Sequence, residues 1–144
     1  MAAIVRNAAL LACLAFASAR GDAHSDVIDL FGSLAGALTE VNVSAFMDGF
    51  DKDMPGYGDL KTQVTALVNQ ADVTSSIEPV DEHGDNAQYA IDLDWFLQVR
   101  SLLDNGPLVE RREVIHCQLR KQKKKWKIVY LKPLEFFAPA KVDK

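Results

Sequence analysis

The sequence predicts an α+β domain in which helices precede a strongly bent four-stranded antiparallel meander. Apolar residues recur at spacings of three and four in the first half of the chain, as on one face of a helix. In the second half they alternate with polar residues, as in strands, and the turn sequences HGDN and DNGP divide the strands. Helices followed by a run of strands are typical of α+β folds.

The N-terminal residues 1–19 have the features of a secretory signal peptide. A positive charge precedes the unbroken apolar run AALLACLAFA, and Ala17 and Ala19 occupy the small-residue positions of a cleavage site. We expect cleavage after Ala19, with a cut after Ala23 as the alternative, and an exported protein, either periplasmic or secreted. Residues 24–138 then form a single domain, and residues 139–144 form a C-terminal tail.

The composition is that of a soluble globular domain. The 144 residues are 49% apolar and 25% charged, with a net charge of −4. Cys117 is the one cysteine left once the leader is removed, so no intramolecular disulfide is expected and the core alone must stabilise the fold. The apolar leader run is too short to cross a bilayer, and we expect no membrane span and no cofactor.

Three helices are predicted in the first half. An apolar stripe that reaches Val41 indicates the first helix, with Ser25 as its N-cap. Ser44 is the predicted N-cap of a short helix with the sequence AFMDGFD. Asp59 is the predicted N-cap of a third helix. Its apolar side contains Leu60, Val64, Leu67 and Val68.

Four strands are predicted in the second half, at residues 73–80, 87–100, 108–120 and 125–137. The second of them alternates strictly, so that Leu93 and Trp95 lie on the buried face and Asp92 and Asp94 on the outer face. This alternation fixes which face is buried, because a slip of one residue would expose every apolar side chain.

The last hairpin is predicted to close over Lys121–Lys124. Under this register the six residues of the three pairs nearest the turn share the buried face. A cluster of charged residues then lies further along the same face. The predicted pairs are Leu119 with Trp126, Cys117 with Ile128, Ile115 with Tyr130, Glu113 with Lys132, and Arg111 with Leu134.

The order of these elements resembles the nuclear transport factor 2-like superfamily, also called SnoaL-like. The resemblance rests on FMDGFDKDMPGY between helices, on the long alternating strand and on the closing strand KWKIVYLKP, and it covers Asp26–Pro133. It implies a cystatin-like cone, with a bent sheet wrapped around helices and an apolar pocket inside, and it implies homodimers. An early hairpin found in many members is missing here. The superfamily contains isomerases, dehydratases and binding modules, so the fold leaves the function open.

A pocket inside such a cone would have an apolar wall and a polar end. The predicted register assigns Trp95, Ile115 and Tyr130 to the wall, and Tyr57 is expected at the pocket mouth. Arg111, Glu113 and Lys132 are the candidate polar groups, because charges on an apolar concave face are costly unless they are paired or used. Glu113 is the candidate general base.

We therefore expect an exported small-ligand-binding or interaction module, with a small apolar molecule and a second copy of the chain as partners. One alternative is a cofactor-free isomerase or dehydratase that uses a pocket carboxylate. The other is a homodimeric scaffold whose pocket is filled by its own side chains. His116 is expected on the surface or at the dimer face, and Cys117 is expected to be an inert core thiol.

Two acidic stretches are predicted to be turns rather than metal sites. In DGFDKDMPGYGD, a calcium loop starting at Asp51 would place Pro55 at its fifth position and Thr62 at its twelfth, where a ligand and a glutamate are needed. DEHGD, at residues 81–85, has no second histidine at ligand spacing and is expected to be a hairpin tip.

The basic run RKQKKKWK, Arg120–Lys127, has six basic residues in eight. Such a run is typical of surfaces that bind anionic lipid or nucleic acid, and also of solvated hairpin tips that protect a sheet edge. Because we expect export, no nucleic acid partner is expected.

Overall fold

The computed structural model describes residues 23–103 and 106–139, and confirms the predicted α+β meander. Within these residues, three helices precede one antiparallel sheet with the strand order β1-β2-β3-β4. The predicted signal peptide, residues 1–19, and residues 140–144 of the predicted tail lie outside the described residues. The elements are α1 over residues 23–39, α2 Val43–Met47, α3 Tyr57–Gln70, β1 Ala71–Gly84, β2 Gln88–Ser101, β3 Leu108–Gln122, β4 Lys125–Lys132 and a 3-10 helix Leu134–Phe137.

The helix starts differ from the predicted N-caps. Ser25 lies inside α1, because residues 23 and 24 are already helical. Asn42 caps α2 in place of Ser44, since its side-chain oxygen accepts a hydrogen bond from the backbone N–H of Ala45 at 3.0 Å. Asp59 lies in the first turn of α3, where a carboxylate favours the helix dipole, and Gly56 is the N-cap.

Gly56 is a position that only glycine suits. Its φ of 81° lies in the left-handed region, and an added Cβ would come within 2.3 Å of Cδ1 of Leu134. The Pro55-Gly56 pair therefore ends the connection from α2 and starts α3 at Tyr57, two residues before the predicted cap.

The predicted register of the second strand is confirmed. Leu93, Trp95, Cys117 and Ile128 are buried together in one core. Burial of each large apolar side chain stabilises the fold by roughly 1.5–3 kcal/mol, so four strands agreeing on one inner face fix the sheet against the helices.

The predicted pairing of β3 with β4 is wrong. The hairpin closes with a two-residue turn at Lys123 and Lys124, and Gln122 pairs with Lys125. Relative to the predicted register, the pairing shifts by two residues. A shift of two keeps the same side chains on the inner face, which is why Trp126 and Ile128 are buried as predicted although Ile128 pairs with Leu119.

A β-bulge then changes the faces of the rest of β4. The register shifts between Gln118 and Leu119, where Val129 is the extra residue of β4. An insertion of one residue exchanges the inner and outer faces, so Tyr130 and Lys132 point outward and Leu131 points into the core at 4% exposure.

The strand predicted to reach Phe137 ends at Lys132. Pro133 has no N–H to donate to the ladder, and a 3-10 helix follows that buries Phe136 and Phe137. The predicted pairing of Arg111 with Leu134 is therefore wrong. β3 pairs with β4 only as far as His116, opposite Lys132.

Candidate functional site

The predicted pocket wall around Trp95 is closed by other side chains. Trp95 is 0% exposed, and aromatic rings surround it edge to face. The ring centroids lie 5.0 Å away for Phe137, 6.2 Å for Phe31 and 6.4 Å for Phe136. Ile115, opposite Leu93, is also fully buried. Aromatic side chains thus occupy the space in front of the predicted wall at this level of the sheet.

The indole N–H of Trp95 is a polar group inside this cluster. Its Nε1 atom is buried and finds no hydrogen-bond acceptor among the described residues. Leaving a buried donor without a partner costs about 1–3 kcal/mol, a cost that the cluster carries at its centre.

Arg111 ties the C-terminal segment to β3. Its Nη1 atom donates hydrogen bonds to the backbone carbonyl oxygens of Phe136, at 2.9 Å, and Ala138, at 2.6 Å. Partial burial lowers the pKa of the Arg111 guanidinium. Two carbonyl acceptors satisfy part of the guanidinium and hold the segment that carries Phe136 and Phe137 against the sheet.

Glu113 lies on the inner-face register but is open to solvent. It pairs with Trp95 across β2 and β3, yet β4 does not extend far enough to cover it. It lines an open depression of about 570 Å³ together with Arg111, Arg112, Glu135 and the C-terminal segment. Arg111 and Glu113 are the predicted polar groups that the structure brings together.

The other predicted site residues lie elsewhere. Tyr130 and Lys132 are exposed on the outer face of the sheet because of the bulge in β4. Tyr57 begins α3 and packs, half-buried, against the core. The seven predicted ligand-binding residues are therefore divided between the core, the depression at Arg111, and the outer face.

Ion pairs on the outer face were not among the predicted site residues. Arg112 contacts both carboxylate oxygens of Asp94, with Nε–Oδ1 at 3.0 Å and Nη2–Oδ2 at 2.6 Å. His116 Nδ1 lies 2.7 Å from Oδ1 of Asp92. The hydrogen bonds from Arg112 lower the pKa of Asp94. The outward parity of Asp92 and Asp94 is visible in the sequence, and pairing of β2 with β3 would have identified their partners.

The acidic stretches carry structural roles. The Asp51 carboxylate accepts the backbone N–H of Asp53 at 2.8 Å and the side-chain amide of Gln122, and these bonds lower its pKa. Asp85 accepts from the backbone N–H groups of Ala87 and Gln88, at 2.8 and 2.9 Å, as in an Asx turn. Among the described residues, no three or more His, Cys, Asp or Glu side chains are grouped as a metal site.

Tyr89 and Cys117 are titratable groups on the inner face of the sheet. The Tyr89 hydroxyl donates a hydrogen bond to Glu82, which also contacts His24, and burial together with Glu82 raises the pKa of Tyr89. Burial likewise raises the pKa of the Cys117 thiol, which suits an unreactive core residue.

Within the described part of the chain, no helix combines the length and apolar composition that a membrane span needs.

Comparison with solved structures identifies the fold. A conserved protein from Planctomyces limnophilus matches with a TM-score of 0.71 at 9% identity, over 78% of this chain and 94% of that one. A candidate dehydratase of the nuclear transport factor 2-like family from Streptomyces avermitilis matches with a TM-score of 0.65 at 12% identity, over 77% and 94%. The chain has the nuclear transport factor 2-like fold. The resemblance predicted from the sequence is thus confirmed as a fold.

A third similar structure is a candidate scytalone dehydratase from Novosphingobium aromaticivorans. It has a TM-score of 0.69 at 8% identity and covers 75% of this chain and 80% of that one. No protein-family model matches the sequence, and no curated protein matches it significantly. At such low identities the likeness concerns the fold and not the activity.

Proposed function

We propose that this protein is an exported interaction module of nuclear transport factor 2-like fold that forms a homodimer through the outer face of its sheet. The observation that carries the proposal is one row of side chains across all four strands. In register, the row runs Asp81, Asp92, His116, Lys132, with two acidic residues on β1 and β2 and two basic ones on β3 and β4.

Such a row is complementary to itself when it is reversed. A two-fold axis running along the strands, between two sheets packed face to face, places β1 of one copy over β4 of the other. Asp81 then faces Lys132 of the partner, and Asp92 faces His116 of the partner. Isologous interfaces require this kind of self-complementarity, and charge complementarity fixes the register of association.

The same face carries apolar groups on both sides of the charged row. Val114 on β3 is 44% exposed beside Asp94, and half-buried Phe96 lies on the same side of the row, whereas Tyr130 on β4 is 39% exposed on the other side. Aromatic and apolar side chains next to polar groups supply contact area to an interface.

The interior supports the scaffold form of this proposal. Among the described residues, no buried side chain carries a charge, and the rings of Phe31, Phe46 and Phe136 pack against those of Trp95 and Phe137. A core filled by its own side chains leaves the surface as the place where partners bind.

The proposal that the protein is exported rests on the predicted signal peptide, residues 1–19. Cleavage after Ala19 would keep Ala23, which is 3% exposed and packs in the core, whereas cleavage after Ala23 would remove it. The buried position of Ala23 supports the cut after Ala19. Sequencing of the N-terminus of protein recovered from outside the cytoplasm tests this directly.

Small-ligand binding is the second candidate function. The depression beside Arg111 and Glu113 favours a small molecule with polar groups that these charged side chains can bind. The isomerase or dehydratase alternative would use Glu113 as the base in the same depression, and two of the similar structures are candidate dehydratases.

Sedimentation equilibrium on charge-reversed variants tests the dimer. Asp81→Lys and Lys132→Glu should each weaken self-association, since each opposes like charges twice across the two-fold axis. An equimolar mixture of the two variants should restore the dimer, because both contacts are again between opposite charges. Val41→Glu, an added charge in the exposed turn after α1, is the matched control and should dimerise normally. A wild-type protein that stays monomeric at high micromolar concentration, or a mixture without recovery, would overturn the proposal.

A further inference from the structure

The hairpin between β3 and β4 carries the densest run of basic residues in the sequence. Its four exposed lysines, Lys121, Lys123, Lys124 and Lys125, are called the basic tip here. The ion pairs found among residues 23–103 and 106–139 do not involve them. Lys121 lies over the ring of Trp126, with Nζ at 5.9 Å from the centroid, and keeps its charge at the surface.

Charge is distributed unevenly between this hairpin and the rest of the molecule. Arg120–Lys127 contains six basic and no acidic residues, while the 144-residue chain carries −4. The other 136 residues therefore sum to −10, since −4 minus 6 is −10. A molecule with this asymmetry is turned tip-first by the field of a negatively charged surface.

The turn keeps lysine at a position that favours another residue. Lys123 has a φ of 60° at the first position of a two-residue hairpin turn. Glycine and asparagine adopt that conformation at lower cost. The turn therefore presents a lysine side chain at its first position at a small backbone cost.

The hairpin is also held rigidly at its base. Gln122 donates to the Asp51 carboxylate, and Lys127 donates to the backbone carbonyl of Asp48. Backbone hydrogen bonds join Asp51 N to Ile128 O at 2.9 Å and Ile128 N to Gly49 O at 2.8 Å. The basic tip is therefore presented in a fixed direction by the connection between α2 and α3, at low entropic cost for binding.

We propose that the basic tip binds the surface of an anionic lipid bilayer. A flat surface can touch the exposed tip, and the Debye length of about 8 Å at physiological salt limits how strongly the acidic remainder opposes it, apart from Asp51 at the base of the hairpin. A long polyanion such as nucleic acid would run along the acidic flanks, and the aromatic residues near the tip, Trp126 and Tyr89, are buried and do not offer stacking faces. This function is additional to dimerisation and does not depend on it.

Co-sedimentation with lipid vesicles tests the proposal. The full chain should pellet with vesicles that contain roughly one-third phosphatidylglycerol, and not with pure phosphatidylcholine vesicles. Replacing all four tip lysines by glutamine should weaken partitioning by about 10²–10³-fold, since each lysine near an anionic surface contributes about 1 kcal/mol. Replacing them by arginine should preserve binding, and Lys61→Gln with Arg100→Gln, at exposed basic residues of α3 and β2, should leave it unchanged.

Lys123→Gly distinguishes the effect of the Lys123 charge on vesicle binding from the effect of the turn conformation on stability. It removes the strained φ and one charge, so the melting temperature should rise or hold while vesicle binding falls several-fold. Equal binding to neutral and anionic vesicles would overturn the proposal, as would unchanged binding of the four-glutamine variant. Tighter binding of a DNA or heparin probe than of vesicles, abolished by the same substitutions, would also overturn it in favour of a polyanion.

Discussion

The two faces of the central strands β2 and β3 differ sharply although their residues alternate along the same chain. On the inner face, Leu93 and Trp95 are completely buried and surrounded by aromatic side chains. On the outer face, one residue away, Asp92 and Asp94 form ion pairs with β3. The inner face is determined by packing and the outer face by charge.

This contrast indicates which residues can be substituted without loss of the fold. A change on the inner face alters a close-packed core and is felt in stability. A change on the outer face alters partner contacts while the fold survives, because exposed ion pairs contribute little to stability. A function that depends on outer-face residues therefore places no constraint on the packing of the core.

The largest expected effect on stability comes from removal of the Trp95 ring at the centre of the inner face. Trp95→Ala should lower the free energy of unfolding by about 3–5 kcal/mol, because it removes buried apolar surface and leaves a cavity. Phe96→Ala, the adjacent residue on the outer face, is the matched control and should cost much less. Chemical denaturation of both variants measures the difference. Similar losses for the two would contradict the division into faces.

The bulge in β4 can be tested by a second adjacent pair. Leu131→Ala should destabilise the protein by about 2–5 kcal/mol, since Leu131 is buried, whereas Tyr130→Ala should have a small effect on stability and reduce dimerisation. Under the register without a bulge, the order would be reversed. Urea denaturation of the two variants therefore decides which register holds in solution.

Acid stability should depend on the outer-face pair between Asp94 and Arg112. Hydrogen bonds from Arg112 hold the pKa of Asp94 below its unfolded value, so this contribution is present above about pH 4 and is lost as the pH falls through the lower, folded pKa. Arg112→Met should flatten the fall in stability between about pH 5 and pH 2. Arg100→Met, at an exposed arginine of β2, is the control. A pH profile of denaturation midpoints identical to wild type in both variants would show that the pair is not formed in solution.

The smallest expected effect concerns Glu113, which shares the inner-face register without being covered. For an interaction module, Glu113→Gln should change stability by no more than about 0.5 kcal/mol and leave dimerisation intact. For an enzyme that uses this base, turnover should fall by about 10²–10⁴-fold while the fold survives. For a small-ligand-binding module, affinity would change modestly. Thermal melting, sedimentation and ligand titration of this one variant distinguish the three functions.

Two predictions show how far the sequence alone reaches in this protein. Alternation along β2 placed Trp95 in the core and Asp94 outside, because the period of a strand is two and apolar burial permits one phase only. The same argument failed after Ile128, since Val129 and Tyr130 both suit a strand and either can occupy the bulge. A one-residue insertion has no signature in the pattern of apolar residues.

The candidate site was predictable only in part. Arg111 and Glu113 were identified as charged groups on an apolar face, and they do lie side by side at one depression. The partners of Arg111 are carbonyl oxygens of Phe136 and Ala138, which any sequence would provide and which no residue pattern indicates. The charged row across the four strands could likewise be predicted only if three strand registers were known together. It consists of Asp81, Asp92, His116 and Lys132.

The sequence by itself determined the order of elements, the buried face of β2 and the basic tip of the last hairpin, because these follow from short-range periodicity and local charge. Only the tertiary structure decided that Phe136 and Phe137 fill the space beside Trp95 and that Tyr130 faces outward. These outcomes depend on contacts between residues far apart in the chain, where close packing selects one arrangement among several that the local pattern permits equally.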